Sequence, residues 1–350
     1  MKVVTTLVVG ILLSACTAYT TIRGLRPWAP KVLDMCFHHP DQIRANFTNV
    51  STTLDSLVCF YVKYHQQALH DIIGAPLKRI NMMTFATVYV LMALEGSRKG
   101  FKSSTLLISF PVLGLLANLI GMPIVFLIIW VPLYFHYWES PKKMDLSITM
   151  PQVYGVLLGI LLGYVLPSAL ISSPYIANNS MLEGDLLCIW QVLPILIVPL
   201  FGHIERLFAK MGSSVDGVEQ ADLKKRLTDV QGKDACERTY LLLGVLNMLV
   251  WYGSYLIIAH QGIHLKDSLL LLLNAPGQLP AGLNFTELGQ LLGARTILVE
   301  CIAFIVSFVL WATFQSGLLV GLVVAVATPL MGPGAALAFY SYYREGQIPL

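Results

Sequence analysis

Charge is what this chain has least of. Asp, Glu, Lys and Arg make up 12% of its 350 residues, about half the share usual in soluble domains, so the polar surface that a water-borne globule needs is missing. Cysteine is sparse too: six scattered residues exclude a disulfide scaffold. There is no CxxC, no HExxH and no His pair at metal-ligand spacing within a helical run, so no pattern asks for a metal, and no cofactor is expected. No basic patch interleaved with aromatics points to nucleic acid, and no repeat of 20 to 50 residues is present. Runs that alternate apolar and polar residues are also missing, which excludes a closed β-barrel.

What is there is apolar. Hydrophobic residues make up 56% and mean hydropathy is +0.68. Apolar runs of helix length fall at about 3 to 19, 80 to 96, 105 to 137, 151 to 172, 185 to 203, 239 to 260, 295 to 314 and 317 to 343. In lipid a helix satisfies its own backbone groups, so these runs predict an all-α, polytopic integral membrane bundle of about seven to nine transmembrane helices. Residues 1–22 read as either a signal peptide or a first anchor, 23–79 as a lumenal segment and 80–346 as the transmembrane domain. The bilayer is then a partner of the chain.

Four NxS/T sequons, Asn46, Asn49, Asn178 and Asn284, are candidate glycosylation sites and point to the endoplasmic reticulum. With Asn46 and Asn49 lumenal, Arg98, Lys99 and Lys102 fall on the cytosolic side, as the positive-inside rule requires. The run 105 to 137 is then the problem, since 34 residues make a helix of roughly 50 Å against about 30 Å of hydrocarbon. One long helix would invert every later loop. Two passes, or a segment broken at Gly121 and Pro123, keep Lys142 and Lys143 cytosolic and Asn178 and Asn284 lumenal, so a break is expected there. Cys36 and Cys59 share the lumenal segment and can pair; Cys188 and Cys301 read as buried thiols.

One acid stands inside an apolar run: Glu300, in TILVECIAFIVSFVLWATF. An ionisable group at membrane depth costs about 2.5 to 3.5 kcal/mol on insertion scales and usually faces a bundle interior. Phe304, Ser307, Trp311 and Gln315 follow it at helical spacing. Gly244, Asn247, Trp251, Ser254 and Tyr255 share a face on one helix, and Asn81, Thr84, Val88, Met92 and Glu95 on another. A desolvated carboxyl among aromatic rings suits protonation of an apolar substrate and stabilisation of the cation that results. The candidate catalytic residues are therefore Glu300 and Glu95, and the candidate substrate-binding residues are Trp190, Trp251, Tyr255, Phe304, Trp311 and Asn247. Plainer readings stand beside these. Glu95 can simply pair with Arg98 at i to i+3, Trp28 and Trp138 fit an interfacial belt, His203 falls at a helix end, and Asp55, Glu183 and Asp185 read as solvated.

A resemblance bears on this choice. MALEGSRKG followed by FPVLGLLANLIGMPIVFLIIWVPLY, then LCIWQVLP, ECIAFIVSFVLWA and GPGAALAFYSYYREG, is similar to the pattern of fungal membrane-bound terpene cyclases of the ascochlorin and ascofuranone type, over about residues 55 to 346. Glu300 stands where an aspartate is usual, and Gly96 follows Glu95 where a bulkier residue is usual. The resemblance implies a cyclase of meroterpenoid biosynthesis that closes rings in a farnesyl chain carried on an aromatic or polyketide head. The reaction would start by protonating an epoxide or alkene. No DDxxD, NDxxD or DxDD box is present, so the implied mechanism is non-ionising and metal-independent. Two alternatives remain: a transporter or other non-enzymatic membrane protein, and a membrane-bound acyltransferase, which would need a buried histidine.

Overall fold

The computed structural model describes residues 2–38, 47–101, 109–138, 145–211, 221–275, 277 and 279–349. Among the described residues the chain is helical, with no strand. In order come α1 (Lys2–Leu25), α2 (Ala29–His38), α3 (Thr52–His70), α4 (Gly74–Ser97), α5 (Phe110–Ile120), α6 (Met122–Tyr137), α7 (Met150–Ile171), α8 (Ser180–Leu196), α9 (Val198–Lys210), α10 (Ala221–His260), α11 (Leu265–Asn274), α12 (Phe285–Ser316), α13 (Leu318–Met331) and α14 (Pro333–Gly346). Five of these, α1, α4, α7, α10 and α12, are long and apolar enough to cross a membrane; α8 and α9, bent by 52° at their junction, make six if counted as one span. Helices α5, α6 and α13 are apolar but shorter.

Side-chain contacts fix the direction of each helix. Lys2 Nζ donates to Phe314 O at 2.7 Å, and Arg295 Nη1 donates to Thr20 O at 3.2 Å, so α1 runs antiparallel to α12. Glu95 and Arg98 at the foot of α4 meet Glu345 and Arg344 at the foot of α14. We call this the ion-pair end. The opposite, disulfide end carries the Cys36–Cys59 bond between α2 and α3. Asn49, Asn178 and Asn284 are exposed beside it.

Two pairs of short helices start and finish at the ion-pair end. Helix α5 rises from Phe110, which packs on Tyr89 and Phe201, to Leu119, whose carbonyl accepts from Tyr61 Oη. Gly121, at φ +100°, turns the chain, and α6 descends past Phe304 and Trp311 to Tyr134 beside Arg344. The break expected at Gly121 and Pro123 is there, and the two short helices form a hairpin. The run 317 to 343, expected as one helix, is a second hairpin. Helix α13 climbs α12 from Gly317, Gly332 (φ +90°) turns against Trp251, and α14 returns along α10. Only residues that tolerate positive φ can make these turns without strain.

Proline positions account for the other irregularities. A proline lacks an N–H and its ring displaces the carbonyl four residues back. The π turns Val125–Trp130 and Leu161–Val165 each run up to a helical segment whose first turn holds a proline, Pro132 or Pro167. Pro194 frees the Trp190 carbonyl, and Asn118 Nδ2 fills the gap, donating to Trp190 O and Gln191 O at 3.1 Å each. Asn118 Oδ1 accepts from Tyr89 Oη at 2.6 Å, so this pair ties the first hairpin to α4 and α8.

Small residues let helix backbones approach closely. Gly155, Gly159 and Gly163 of α7, four apart, lie directly against Phe201, Glu205 and Ile197. Thr6, Gly10, Ser14 and Thr17 form the buried stripe of α1, with Gly10 against the Leu127 backbone. Helix α4 is buried on all sides. It begins at Gly74 rather than residue 80, and residues 23–79 contribute two helices to the bundle. Asp55, expected to be solvated, is buried; it accepts from the Thr48 amide at 2.5 Å and the Asn49 amide at 3.1 Å, which hold its carboxyl below the usual aspartate range. Cys301 is buried as expected, while Cys188 is only half-buried. Asn46, Lys102, Lys142 and Lys143 lie outside the described residues.

Candidate functional site

Glu300 sits about four turns into α12, deeper than its position in the apolar run suggested, because the helix starts at Phe285 rather than near 295. The start is set by a capping box: Asn284 Oδ1 accepts from Glu287 N and Glu287 Oε2 accepts from Asn284 N, each at 2.9 Å. Glu300 lines a cavity of about 230 Å³. Thr21 and Leu25 of α1, Phe60, Tyr61, Tyr64 and His65 of α3, Lys78 and Phe85 of α4, the tip of the first hairpin from Ala117 to Gly121, Trp190 of α8 and Thr296 of α12 line it too. Leu119 and Ile120 are also 37% and 49% exposed on the outer surface, so the cavity opens sideways between α1, α3 and the hairpin tip. The Tyr61–Leu119 hydrogen bond spans that opening.

Inside, an acid and an amine share one compartment. The Lys78 ammonium is 2% exposed, lies 4.7 Å from the Trp190 ring centroid, and is in electrostatic range of Glu300. Asn81 lies beside the same carboxyl. The His65 ring meets Trp190 edge-on at 5.6 Å, and Trp190 Nε1 donates to Ser168 Oγ at 2.9 Å. Tyr64 Oη and His65 Nδ1 are buried without a hydrogen-bond partner. Unpaired buried polar atoms are costly, and both residues line this cavity. Among the described residues no group of three His, Cys, Asp or Glu side chains is placed to hold a metal ion.

Glu95 is in a different place and a different chemical state. Arg98 Nε donates to its Oε1 at 2.9 Å, Arg344 donates to the same oxygen, Arg98 also pairs with Glu345, and Arg344 Nη1 donates to Tyr134 Oη at 2.9 Å. All four charges are at most 3% exposed. The chain Glu345, Arg98, Glu95, Arg344 locks the end of α4 to the end of α14, so the expected pairing of Glu95 with Arg98 exists and is one link of a longer network.

The candidate binding residues divide among several environments. Trp190 lines the Glu300 cavity. Phe304 and Trp311 instead pack into a column with Phe126, Trp130 and Tyr134, where Phe126–Trp130 and Trp130–Tyr134 stack at 5.0 and 5.1 Å and Arg344 sits 5.5 Å over Trp311. Asn247 donates to Thr87 Oγ1 and Leu243 O at 2.8 Å each and lies against Gly334, while Trp251 covers Gly332; both brace the second hairpin. Tyr255 does not share their inward face: one step past Ser254 it is 51% exposed on the outer side of α10. His203 is exposed near the middle of α9. Glu183, expected to be solvated, is 1% exposed and bonded by Gln66 Nε2 and His70 Nε2 at 3.1 Å each.

Lys78, His65, Tyr61 and Tyr64 were missed because they precede the first strong apolar run after α1. A signal was present: Tyr61, Tyr64, His65 and Ala68 are spaced 3, 1 and 3 apart, one face of a helix.

The family model described as the CtvD domain matches residues 3–264, from the first turn of α1 to the end of α10. Neither the curated proteins nor the solved structures yield a match.

Proposed function

The chain belongs to the CtvD domain family, whose namesake is a fungal biosynthetic-cluster protein, and we propose that it is a membrane-bound terpene cyclase of meroterpenoid biosynthesis. Its substrate is a farnesyl chain on an aromatic or polyketide head, cyclised after protonation of an epoxide or alkene, with no metal or cofactor. The observation that carries this reading is the side-opening cavity that holds Glu300 beside Lys78, walled by Trp190, Phe85, Tyr61 and Tyr64.

The setting is a multi-pass protein of the endoplasmic reticulum membrane, with lipid as solvent. Its outer surface supports this: Leu12, Leu249, Leu256, Leu319 and Val326 are each at least 64% exposed, an apolar exterior of the kind that a hydrocarbon phase covers. Six full passes and two re-entrant hairpins account for a pattern that reads as seven to nine spans. Helix α1 is a retained pass, since its small-residue stripe is packed against the first hairpin and the family match includes it. The disulfide end is lumenal, with glycans on Asn46, Asn49, Asn178 and Asn284.

A lipophilic substrate enters from the bilayer between α1, α3 and the hairpin tip. Glu300 delivers the proton, with Lys78 and Asn81 fixing its carboxyl. Aromatic faces of Trp190, Phe85 and Tyr64 stabilise the cation, by about 0.5 to 2 kcal/mol per face. Loss of a proton or capture by a nucleophile of the substrate ends the reaction, so product and substrate are isomers. Microsomes bearing the chain, given a farnesylated phenol or its terminal epoxide, should form a product of unchanged mass, and Glu300→Gln should lower its rate by about 100-fold or more. Undiminished turnover by Glu300→Gln would remove Glu300 as the acid, and conversion of no prenylated substrate would remove the reading.

A second reading has one observation behind it. His65 is buried in the cavity wall, where an acyltransferase needs its base. The same assay separates the two, because acyl transfer requires an acyl-CoA donor and adds mass.

A further inference from the structure

A second cavity, of about 300 Å³, lies on the other side of α4. Glu300 and Lys78 face one side of that helix; Arg79, Met82 and Met83 face the other. The second cavity is a cleft between α7 and α10, floored by α4 and lined by Val165, Ser168 and Ser172 on one wall and Val250, Gly253 and Ser254 on the other. It is apolar along its length and has one cation, at the disulfide end. Arg79 is half-buried there, and its one hydrogen bond runs from Nη2 to Ser172 O at 3.1 Å. A guanidinium has five N–H donors, so donors remain for a ligand. Gly253 leaves the cleft open: a side chain placed there would touch nothing within 4 Å.

We propose that this cleft binds one acyl chain of an anionic amphiphile, with its carboxylate or phosphate on Arg79 and its hydrocarbon between α7 and α10. The charge sits where a headgroup would be, near the end of both walls, and the apolar length runs inward from it toward the bundle's middle. Guanidinium and carboxylate or phosphate match in geometry as well as charge. Ser168 gives the occupant a contact with the Glu300 cavity, because its hydroxyl accepts from Trp190 Nε1 at 2.9 Å. The proposal rests on the membrane setting proposed above but not on cyclase activity.

The test uses the full chain purified in a neutral detergent and an oleate analogue with a mid-chain diazirine. Crosslinks are expected in the peptides of Val165–Ser172 and Val250–Ile257. Arg79→Gln should reduce them at least about tenfold, and Gly253→Leu, which fills the cleft without meeting backbone, should abolish them. A diazirine analogue of oleyl alcohol, with the same chain and no charge, should label these peptides no more than it labels α1. Nanodiscs of phosphatidylcholine with and without phosphatidylglycerol, both read by displacement of the oleate probe, distinguish a free fatty acid from a bilayer phospholipid as the source. Displacement by phosphatidylglycerol alone assigns the bilayer lipid. Equal labelling of wild type, Arg79→Gln and Gly253→Leu, or labelling spread evenly over the outer helix faces, overturns the proposal.

Discussion

Glu95 shares one oxygen between two guanidinium groups, while Glu300 faces one amine across a cavity, and the consequences of removing each acid differ. Glu95→Gln would leave Arg98 and Arg344 buried with too little counter-charge, a loss of about 3 to 5 kcal/mol for a broken buried pair. Low yield and a lowered melting temperature in detergent are therefore expected, with turnover reduced only in proportion to folded protein. Glu300→Gln keeps the shape and, on the proposed mechanism, removes the proton donor, so melting should hold while turnover falls. If Glu95→Gln folds normally and is inactive, the two assignments exchange.

His70 offers a pH-dependent case outside the spans. Its hydrogen bond to Glu183 raises its pKa above the ordinary histidine value. The folded state thus binds the proton more tightly, and the added stability is complete below the unfolded pKa of about 6.5 and disappears as pH rises through the folded one. Melting measured from pH 5.5 to 8.5 should show a decline that His70→Gln removes. An unchanged slope in that variant would place the titrating group elsewhere.

At the scale of elements, the two hairpins depend on two backbone positions. Gly121 at φ +100° and Gly332 at φ +90° lie where a side chain is strained by about 1 to 3 kcal/mol. Gly332→Ala should cost more than Gly121→Ala, because its Cβ would also press on Trp251 while Gly121 has only Pro123 nearby at 3.8 Å. Thermal denaturation of both variants tests the order. The first hairpin was legible because its run is too long for one span and the later loops fix its parity. The second was not: 317 to 343 has an acceptable length for one helix, and GPG inside it does not say whether the chain bends or reverses. The site was legible only in part for a similar reason. Glu300 stands out against apolar neighbours, but Lys78 and His65 sit in segments polar enough to read as lumenal, and only the packing of α3 and α4 against α12 brings them to it.

For the whole molecule, the positions of charge and sequons make one topology testable. Asn49, Asn178 and Asn284 share the disulfide end, and Lys99, Lys210, Lys224, Lys225 and Arg226 gather at the other, the distribution the positive-inside rule gives to a cytosolic face. Lys2 reaches Phe314 and Lys233 Nζ donates to Ile348 O at 2.6 Å, so both termini lie at the ion-pair end, as the proposed topology of six passes and two returning hairpins requires. In sealed microsomes an epitope after Leu350 should be digested by added protease, and Asn178→Gln and Asn284→Gln should each remove one endoglycosidase-sensitive step. An acceptor sequon placed beside Lys142 should stay unmodified, because a re-entrant first hairpin returns that loop to the cytosolic side. Modification there, with the C-terminal epitope still digested, would turn the first hairpin into a single crossing and reverse every helix between it and α13.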